Sequence, residues 1–547
     1  MRRLVLAAAA VCAAHALLAQ HAEMTPPEKP VTLLTGMGTH THPISTSSPE
    51  AQKFFDQGMV LLFGFNHEEA IRAFGRASEL DPKASMPHWG MALALGANYN
   101  DPAPADERLK KARAEVEKAL VLSASGPDNE RAYAEALSKR YVADPASRDK
   151  AQVARDYAAA MKALSAAYPD DLDAATMYAE SLMNLTPWKL WKPDGTPGEN
   201  TLEILAVLES VLKRDPLHPG ANHYYIHAVE ASKNPERALP SAKRLETLVP
   251  NAGHLVHMPA HTYVRTGDYV AAEKANTIAA EVDRNYIRET GASGMYPVMY
   301  YNHNVHFESF AASMAGRYAV AKRAGDQLFD GVLPVVTMDP MLEGFLLQPT
   351  FVALRFQKWD DIRKMPDPGP KLPLLRANWL YARAMAAAAQ KDPKRADTLR
   401  ETFVIARDSV PPASMAGPQN SAAQLFAVST QVLDARIAEA KGDRKAAIAS
   451  WKKAVEAEDA LNYDEPPAWY YPTRESLGAA LLADGQLAEA EKVFRADLDK
   501  HPRNPRSLFG LWKTLEAQKK SADAGWARAQ FETAWKDADT KLRIEDL

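Results

Sequence analysis

Gly485-Gln486-Leu487-Ala488-Glu489-Ala490-Glu491-Lys492-Val493-Phe494 is an amphipathic run with alanine at 490 and a bulkier residue four positions on. His501-Pro502 closes it. The pattern recurs upstream. Phe65-Asn66-His67-Glu68-Glu69-Ala70-Ile71-Arg72-Ala73-Phe74 precedes Asp81-Pro82, and Gly267-Asp268-Tyr269-Val270-Ala271-Ala272 begins another copy. Tyr168-Pro169, Asp215-Pro216 and Val249-Pro250 end further amphipathic runs, and Pro216 and Pro250 stand 34 residues apart. A fixed period of this length marks an array of small units, each too small to bury its apolar face alone.

These segments resemble tetratricopeptide repeats. The resemblance implies two antiparallel helices per unit, closed by a proline, with small residues such as Gly58, Ala92, Ala260 and Gly478 where the helices touch. In a 34-residue frame the units start near Ala51, Ser85, Leu172, Pro219, Gly253, Asn302, Val428, Tyr471 and Pro505. Less regular units fill 128–171 and 343–410. The expected fold is all-α, a right-handed superhelical solenoid of about twelve helix pairs. The expected organisation is a signal peptide over 1–22, a leader over 23–50, repeats over 51–218, a central set over 219–335 and a last set over 336–547.

The chain has 547 residues, and its 65 basic and 69 acidic side chains leave a net charge of -4. That balance gives no support to a nucleic-acid partner. Met1-Arg2-Arg3, the apolar run Leu4 to Leu18 and the small residues at Ala19 and Ala22 predict a secretory signal peptide and an exported, periplasmic or secreted protein. The one cysteine, Cys12, falls inside that segment. The processed chain then has no thiolate for a metal, a disulfide or a nucleophile. No later stretch is apolar for long enough to span a membrane.

The chemistry concentrates in histidine. Seven of the 15 histidines lie between 223 and 306: His223, His227, His254, His257, His261, His303 and His306. His223 to His257 is 34 residues, and so is His227 to His261. In the repeat frame they occupy places two, five and nine of the first helix, near 200°, 140° and 180° at about 100° per residue. The packing places four, seven, eight and eleven centre roughly 140° away. The family resemblance assigns such a stripe to the concave groove, where neighbouring first helices pack at about 8–10 Å. The spacings i, i+3 and i, i+4 put two imidazoles on one face of a helix. Glu230, three residues past His227, points the same way and can complete a two-histidine, one-carboxylate set.

Neutral imidazole ligates zinc, copper, iron and nickel. Imidazole-only ligation in an exported chain favours copper first and zinc next, and a ligating Glu230 opens non-haem iron. Six or seven histidines suffice for two ions. The alternatives are histidines lining a peptide-binding groove and hydrogen-bonded structural histidines. Two aromatic insertions, 186–200 with Trp188 and Trp191 and 287–301 with Tyr296, Tyr300 and Tyr301, break the frame as lids or braces. His40 and His42, in Thr-His-Thr-His-Pro, and His67 are weaker ligand candidates.

The segments Asn222 to Glu230 and Gly253 to His261 resemble those of exported bacterial repeat proteins, which implies the architecture and the histidines but no activity. Two functions follow. One is a metalloprotein with a histidine-built groove site, with metal-dependent oxidoreductase chemistry as its enzymatic form. The other is a non-enzymatic scaffold gripping a peptide or partner protein.

Overall fold

The computed structural model describes residues 29–147 and 149–547. The signal peptide expected over 1–22 lies outside the described residues. Among these the elements are α-helices, short 3-10 turns and one π-turn, with no strand beyond the isolated bridges Trp191–Pro197 and Met415–Ser421. The chain is all-α, as its periodicity predicts.

Helix starts follow the repeat frame because caps and prolines coincide with it. Ser48 caps Pro49–Phe63, Asn66 caps His67–Leu80 and Asp171 caps Leu172–Met183, each side chain accepting a backbone N–H of the first turn. Pro219 and Pro505 occupy first-turn positions, where their missing N–H costs nothing. Helix Ala422–Ala440 begins ahead of the expected 428 because Ser421 and Gln424 form a reciprocal cap.

Successive helices pack in pairs, and the packing shows why the small residues recur. A Cβ on Gly58 would lie 2.4 Å from the Phe74 ring, and one on Gly90 would lie 2.8 Å from the same ring. Phe74, on the second helix of one unit, is thus gripped by first helices of its own and the next unit. Phe494 repeats the arrangement between Gly478 and Gly510, at 2.5 and 2.2 Å.

The chain forms two compact units, divided within the stretch 219–335. The first runs up to Thr262 and includes Ile278–Tyr301; the second is Tyr263–Thr277 with Asn302–Leu547. In the first, residues 29–47 form an extended strap without regular secondary structure. In the second, buried Arg355 forms a two-pronged pair with Glu475, whose Oε1 also accepts from Asn504 Nδ2 at 2.9 Å. The remaining Asn504 and Ser507 donors satisfy Asp497.

Two opposed effects meet at Gly58. Alanine raises helix propensity by about 1 kcal/mol, whereas forcing a methyl into this contact costs roughly 1–3 kcal/mol. Packing should win, so Gly58→Ala is expected to lower the urea midpoint rather than raise it.

Asp464, in the second unit, supplies a pH test. Burial pushes its carboxyl up to about 7, against hydrogen bonds from Gln419 N–H and Asn420 Nδ2. An unfolded aspartate ionises near 4. Between about 4 and 7 the folded chain therefore holds a proton that the unfolded chain has lost. Stability should fall as pH rises across that window and level off above it. Asp464→Asn is expected to flatten that slope and to gain on the order of 4 kcal/mol at pH 8 and nothing at pH 4. Denaturant titrations at both pH values check it.

Candidate metal centre

Helix Pro219–Glu230 carries His223, His227 and Glu230 on successive turns of one face. Gly220 lets it sit against Phe63, with a would-be Cβ 2.4 Å from that ring. His254 and His257 lie on the short helix Gly253–His257, and His261 on Pro259–Thr266, which restarts after Met258 because Pro259 lacks a ladder N–H. All five rings and Glu230 are buried, at most 3% exposed. The sequence reading places this stripe on an open groove; here the groove is filled by the chain itself. The Phe65 ring lies 4.5, 5.9 and 5.4 Å from those of His223, His227 and His254. Tyr99 and Trp188 cover His227 at 5.3 and 5.7 Å, and Tyr300 covers His254 at 5.0 Å.

Both aromatic insertions therefore reach the histidines. Trp188, at φ 61, stacks on Tyr99, while Trp191 Nε1 donates to Ala228 O at 2.8 Å. The second insertion is shorter than its sequence suggests, since helix Tyr269–Thr290 continues into it. It then turns at Gly294, φ 110, and becomes the π-turn Tyr296–Tyr301. The Glu68 carboxylate accepts the N–H groups of Met295 and Tyr296, leaving no room for a side chain at 294. Tyr296 OH donates to Asp283 at 3.0 Å and accepts the His254 N–H at 3.2 Å.

The hydrogen bonds assign tautomers. His223 Nδ1 lies 2.5 Å from Phe63 O, His227 Nδ1 2.8 Å from Glu230 Oε1, and His261 Nδ1 2.5 Å from Glu230 Oε2. A carbonyl and an ionised carboxylate only accept, so each Nδ1 carries the proton and each neutral ring keeps an Nε2 lone pair. His223 Nε2 and His227 Nε2 are buried without a hydrogen-bond partner. Orphaned lone pairs held by donating Nδ1 atoms are the arrangement found around bound metals. His223, His227 and His254 each offer a ligand atom, all within 4.8 Å of one another, and so do His227, Glu230 and His261. His257 Nε2 and His261 Nε2 approach to 2.8 Å.

Charge agrees with geometry. Burial resists ionisation of Glu230, but His261 and His227 outweigh it and hold its carboxyl down at about 2. Burial, then His227, keeps His223 well below the ordinary imidazole range; burial lowers His227 as well, against Glu230. His223 and His227 are thus held neutral near the ionised Glu230, and neutral imidazole is the form that ligates a cation. His303 and His306 belong to the second unit. There the His303 ring lies 5.7 Å from Phe307, and burial pulls His306 down to about 4 beside Phe345 and Gln348.

No protein-family model matches the chain, and no curated protein matches it in sequence. Among solved structures it is similar to yeast Tom70, at 12% identity over 88% of this chain and 96% of that one, TM-score 0.32. It is similar to the human IFIT1 dimer with PPP-AAAA at 14% identity, over 91% and 92% of the two chains, TM-score 0.33. It is also similar to the P58(IPK) TPR domain at 11% identity, over 86% and 99%, TM-score 0.22. These are tetratricopeptide-containing proteins. Likeness this loose carries no ligand or activity to this chain; the helix pairs stand on their own Gly–Phe contacts.

A further cluster surrounds Asp173, where His40 Nε2, His42 Nδ1 and His218 Nε2 lie 3.2, 2.8 and 3.0 Å from its oxygens. The spacing of His40, Asp173 and His218 could hold an ion. The tautomer of His218 argues against one. Its Nδ1 accepts the Ala221 N–H as a helix cap, which leaves the ring proton on Nε2, facing Asp173. Asp173 Oδ2 hydrogen-bonds His42 Nδ1, His218 Nε2 meets Thr176 Oγ1 at 3.3 Å, and His40 Nε2 and Asp173 Oδ1 make an ion-pair contact without a hydrogen bond. Burial opposes charge on His40 and His42, but the hydrogen bonds and charge of Asp173 raise both rings, while the three imidazoles draw Asp173 well below the usual carboxylate range. Thr-His-Thr-His-Pro signals this cluster in the sequence; Asp173 and His218 sit in no motif.

At Glu230 the amide of glutamine cannot accept both Nδ1–H groups, since one end would offer N–H instead. Glu230→Gln should therefore strand a buried donor and cost about 1–3 kcal/mol in denaturant unfolding, with helicity by circular dichroism unchanged.

Proposed function

We propose that the protein is an exported metalloprotein whose first unit holds a transition-metal ion on His223, His227 and His254, with His257 and His261 beside it as a second ligand pair. The orphaned Nε2 atoms of His223 and His227 carry this reading. Glu230 acts as the orienting carboxylate, since its two oxygens face the Nδ1 atoms of His227 and His261. That arrangement ranks the metals. Imidazole-only ligation suits copper and then zinc, and copper binds such donors more tightly. Iron ranks third, because it needs Glu230 as a ligand. Copper would supply one-electron chemistry at the site and zinc Lewis acidity. The residues themselves present neutral donors and exclude water behind Phe65, Tyr99, Trp188 and Tyr300. Oxidoreductase activity is the enzymatic form of this proposal, and a structural ion stapling two repeats is its simpler form.

The helical-repeat fold supports a second, coarser reading, a protein-interaction scaffold. A specific observation favours it: the strap 29–47 lies extended against repeat helices as a peptide ligand would. No described helix is long and apolar enough to cross a membrane. Export rests on residues 1–22 and is tested by N-terminal sequencing of the secreted chain, which should begin after Ala19 or Ala22.

Elemental analysis of untagged protein should find about one or two equivalents of copper or zinc. His223→Ala combined with His227→Ala should abolish that content and leave the helical signal intact. Metal-free wild-type protein that takes up neither ion tightly would leave the scaffold as the function.

A further inference from the structure

The Asp173 carboxylate is buried and ionised, and a charge taken out of water needs a counter-charge. Among the described residues no lysine or arginine pairs with it. Its neighbours are imidazoles: His42 Nδ1 at 2.8 Å, His218 Nε2 at 3.0 Å and His40 Nε2 at 3.2 Å. His218 accepts a backbone N–H at Nδ1, so that ring is neutral. The counter-charge therefore falls to His40 and His42, and both belong to the extended strap rather than to a repeat helix.

The rest of this end of the strap is held largely by carboxylates. Asp56 Oδ1 accepts the His42 N–H and its Oδ2 the Thr41 hydroxyl, each at 3.0 Å. Glu130 accepts the Ser45 N–H, and Asp81 Oδ2 accepts the Ser47 N–H at 2.9 Å and the Thr46 hydroxyl at 2.7 Å. Asp171, the cap of the helix that carries Asp173, takes the Tyr133 hydroxyl at 2.9 Å. Acidic groups thus meet the strap from helices Pro49–Phe63, Asp128–Ser138 and Leu172–Met183 and from the end of His67–Leu80. Within 40–47 the only titratable side chains are His40 and His42. The same two rings roof an aromatic floor. His42 lies 6.0 Å from Phe55 and 5.5 Å from Tyr133, and His40 lies 5.6 Å from Phe63. Of residues 40–47 only His42 is buried, so no other side chain locks this end down.

Charge on the imidazoles and closure of the strap are therefore linked. Burial opposes that charge, but Asp173 outweighs it, with Asp56 adding to the pull on both rings and Asp171 on His42. A ring that holds its proton more tightly closed than open favours closure below its titration and ceases to do so above it. An exposed imidazole titrates at about 6.5. Closure should be firm in mild acid and weaken as pH rises through the raised values of the two rings. Asp56, pushed up by burial, acts in the same sense, and Asp173, drawn low, stays ionised throughout.

We infer that residues 40–47 are a proton-latched cover: protonated His40 and His42 hold the strap on Asp173 over Phe55, Phe63 and Tyr133, and loss of those protons frees it. The latch depends on neither functional reading above, and it works without an ion at His223 and His227.

The test is amide exchange of 40–47 by mass spectrometry in the full chain, at pH 5.5 and pH 8.5 with EDTA present, each rate divided by the intrinsic rate at that pH. Protection should fall about fivefold across that range, the loss expected when a hydrogen-bond donor gives up its charge. Helix Thr201–Arg214, away from the strap, should keep its protection. Asp173→Asn should remove the pH dependence. So should His40→Gln combined with His42→Gln, which leaves every helix residue in place and keeps the test decisive if the aspartate variant folds poorly. Histidine NMR should find both rings titrating above the ordinary imidazole value. Wild-type protection that does not change with pH, a fall that survives the double histidine variant, or rings that titrate below the ordinary value would overturn the latch.

Discussion

Five imidazoles packed out of water impose the constraint on which the first unit depends. A buried imidazolium is costly, and burial keeps His223 and His227 neutral; a neutral ring has one proton to place. Phe63 O and the two oxygens of Glu230 take three of those protons, at Nδ1 of His223, His227 and His261. Everything nearby serves that choice. Gly220 brings the helix that carries His223 and His227 against Phe63, and the Phe65 turn lays a ring across His223, His227 and His254. The result is a set of lone pairs with nothing from the protein to satisfy them at His223 and His227.

The same logic separates the two histidine clusters, which look alike by residue type. Around Glu230 the carboxylate meets Nδ1 atoms and turns Nε2 inward. Around Asp173 the His218 ring spends Nδ1 on a helix cap, so its proton must face the carboxylate. One cluster leaves two Nε2 lone pairs facing inward, and the other ties His42 of the strap to Asp173. Ligand spacing alone does not distinguish them; the partner of the second ring nitrogen does.

Much of the fold is legible in residue order. The Ala490–Phe494 and Ala70–Phe74 pairs, the closing prolines and the caps at Ser48, Asn66 and Asp171 are local features, and local physics reads them. The histidine stripe was legible too, because His223 and His257, and His227 and His261, fall one repeat apart. Less legible was its environment. The frame implies an exposed groove, yet Phe65, Tyr99, Trp188 and Tyr300 come from four separate places in the chain to close it. Only Trp188 and Tyr300 lay in segments that the sequence marked as insertions. Asp173 gave no signal, since an aspartate near a helix start ordinarily reads as a cap.

By itself, then, the sequence determined helix type, repeat register and the helix face that carries the histidines. Each follows from i, i+4 geometry and turn chemistry within some tens of residues. Tertiary structure decided what that face meets: which ring nitrogen is protonated, which Nδ1 atoms Glu230 faces, and that Phe65, Tyr99 and the two insertions cover it. Those outcomes depend on hydrogen-bond partners far away in sequence, such as Phe63 for His223 across 160 positions. A proton on one ring nitrogen or the other is set by whichever acceptor the fold brings within about 3 Å, and no periodicity encodes that.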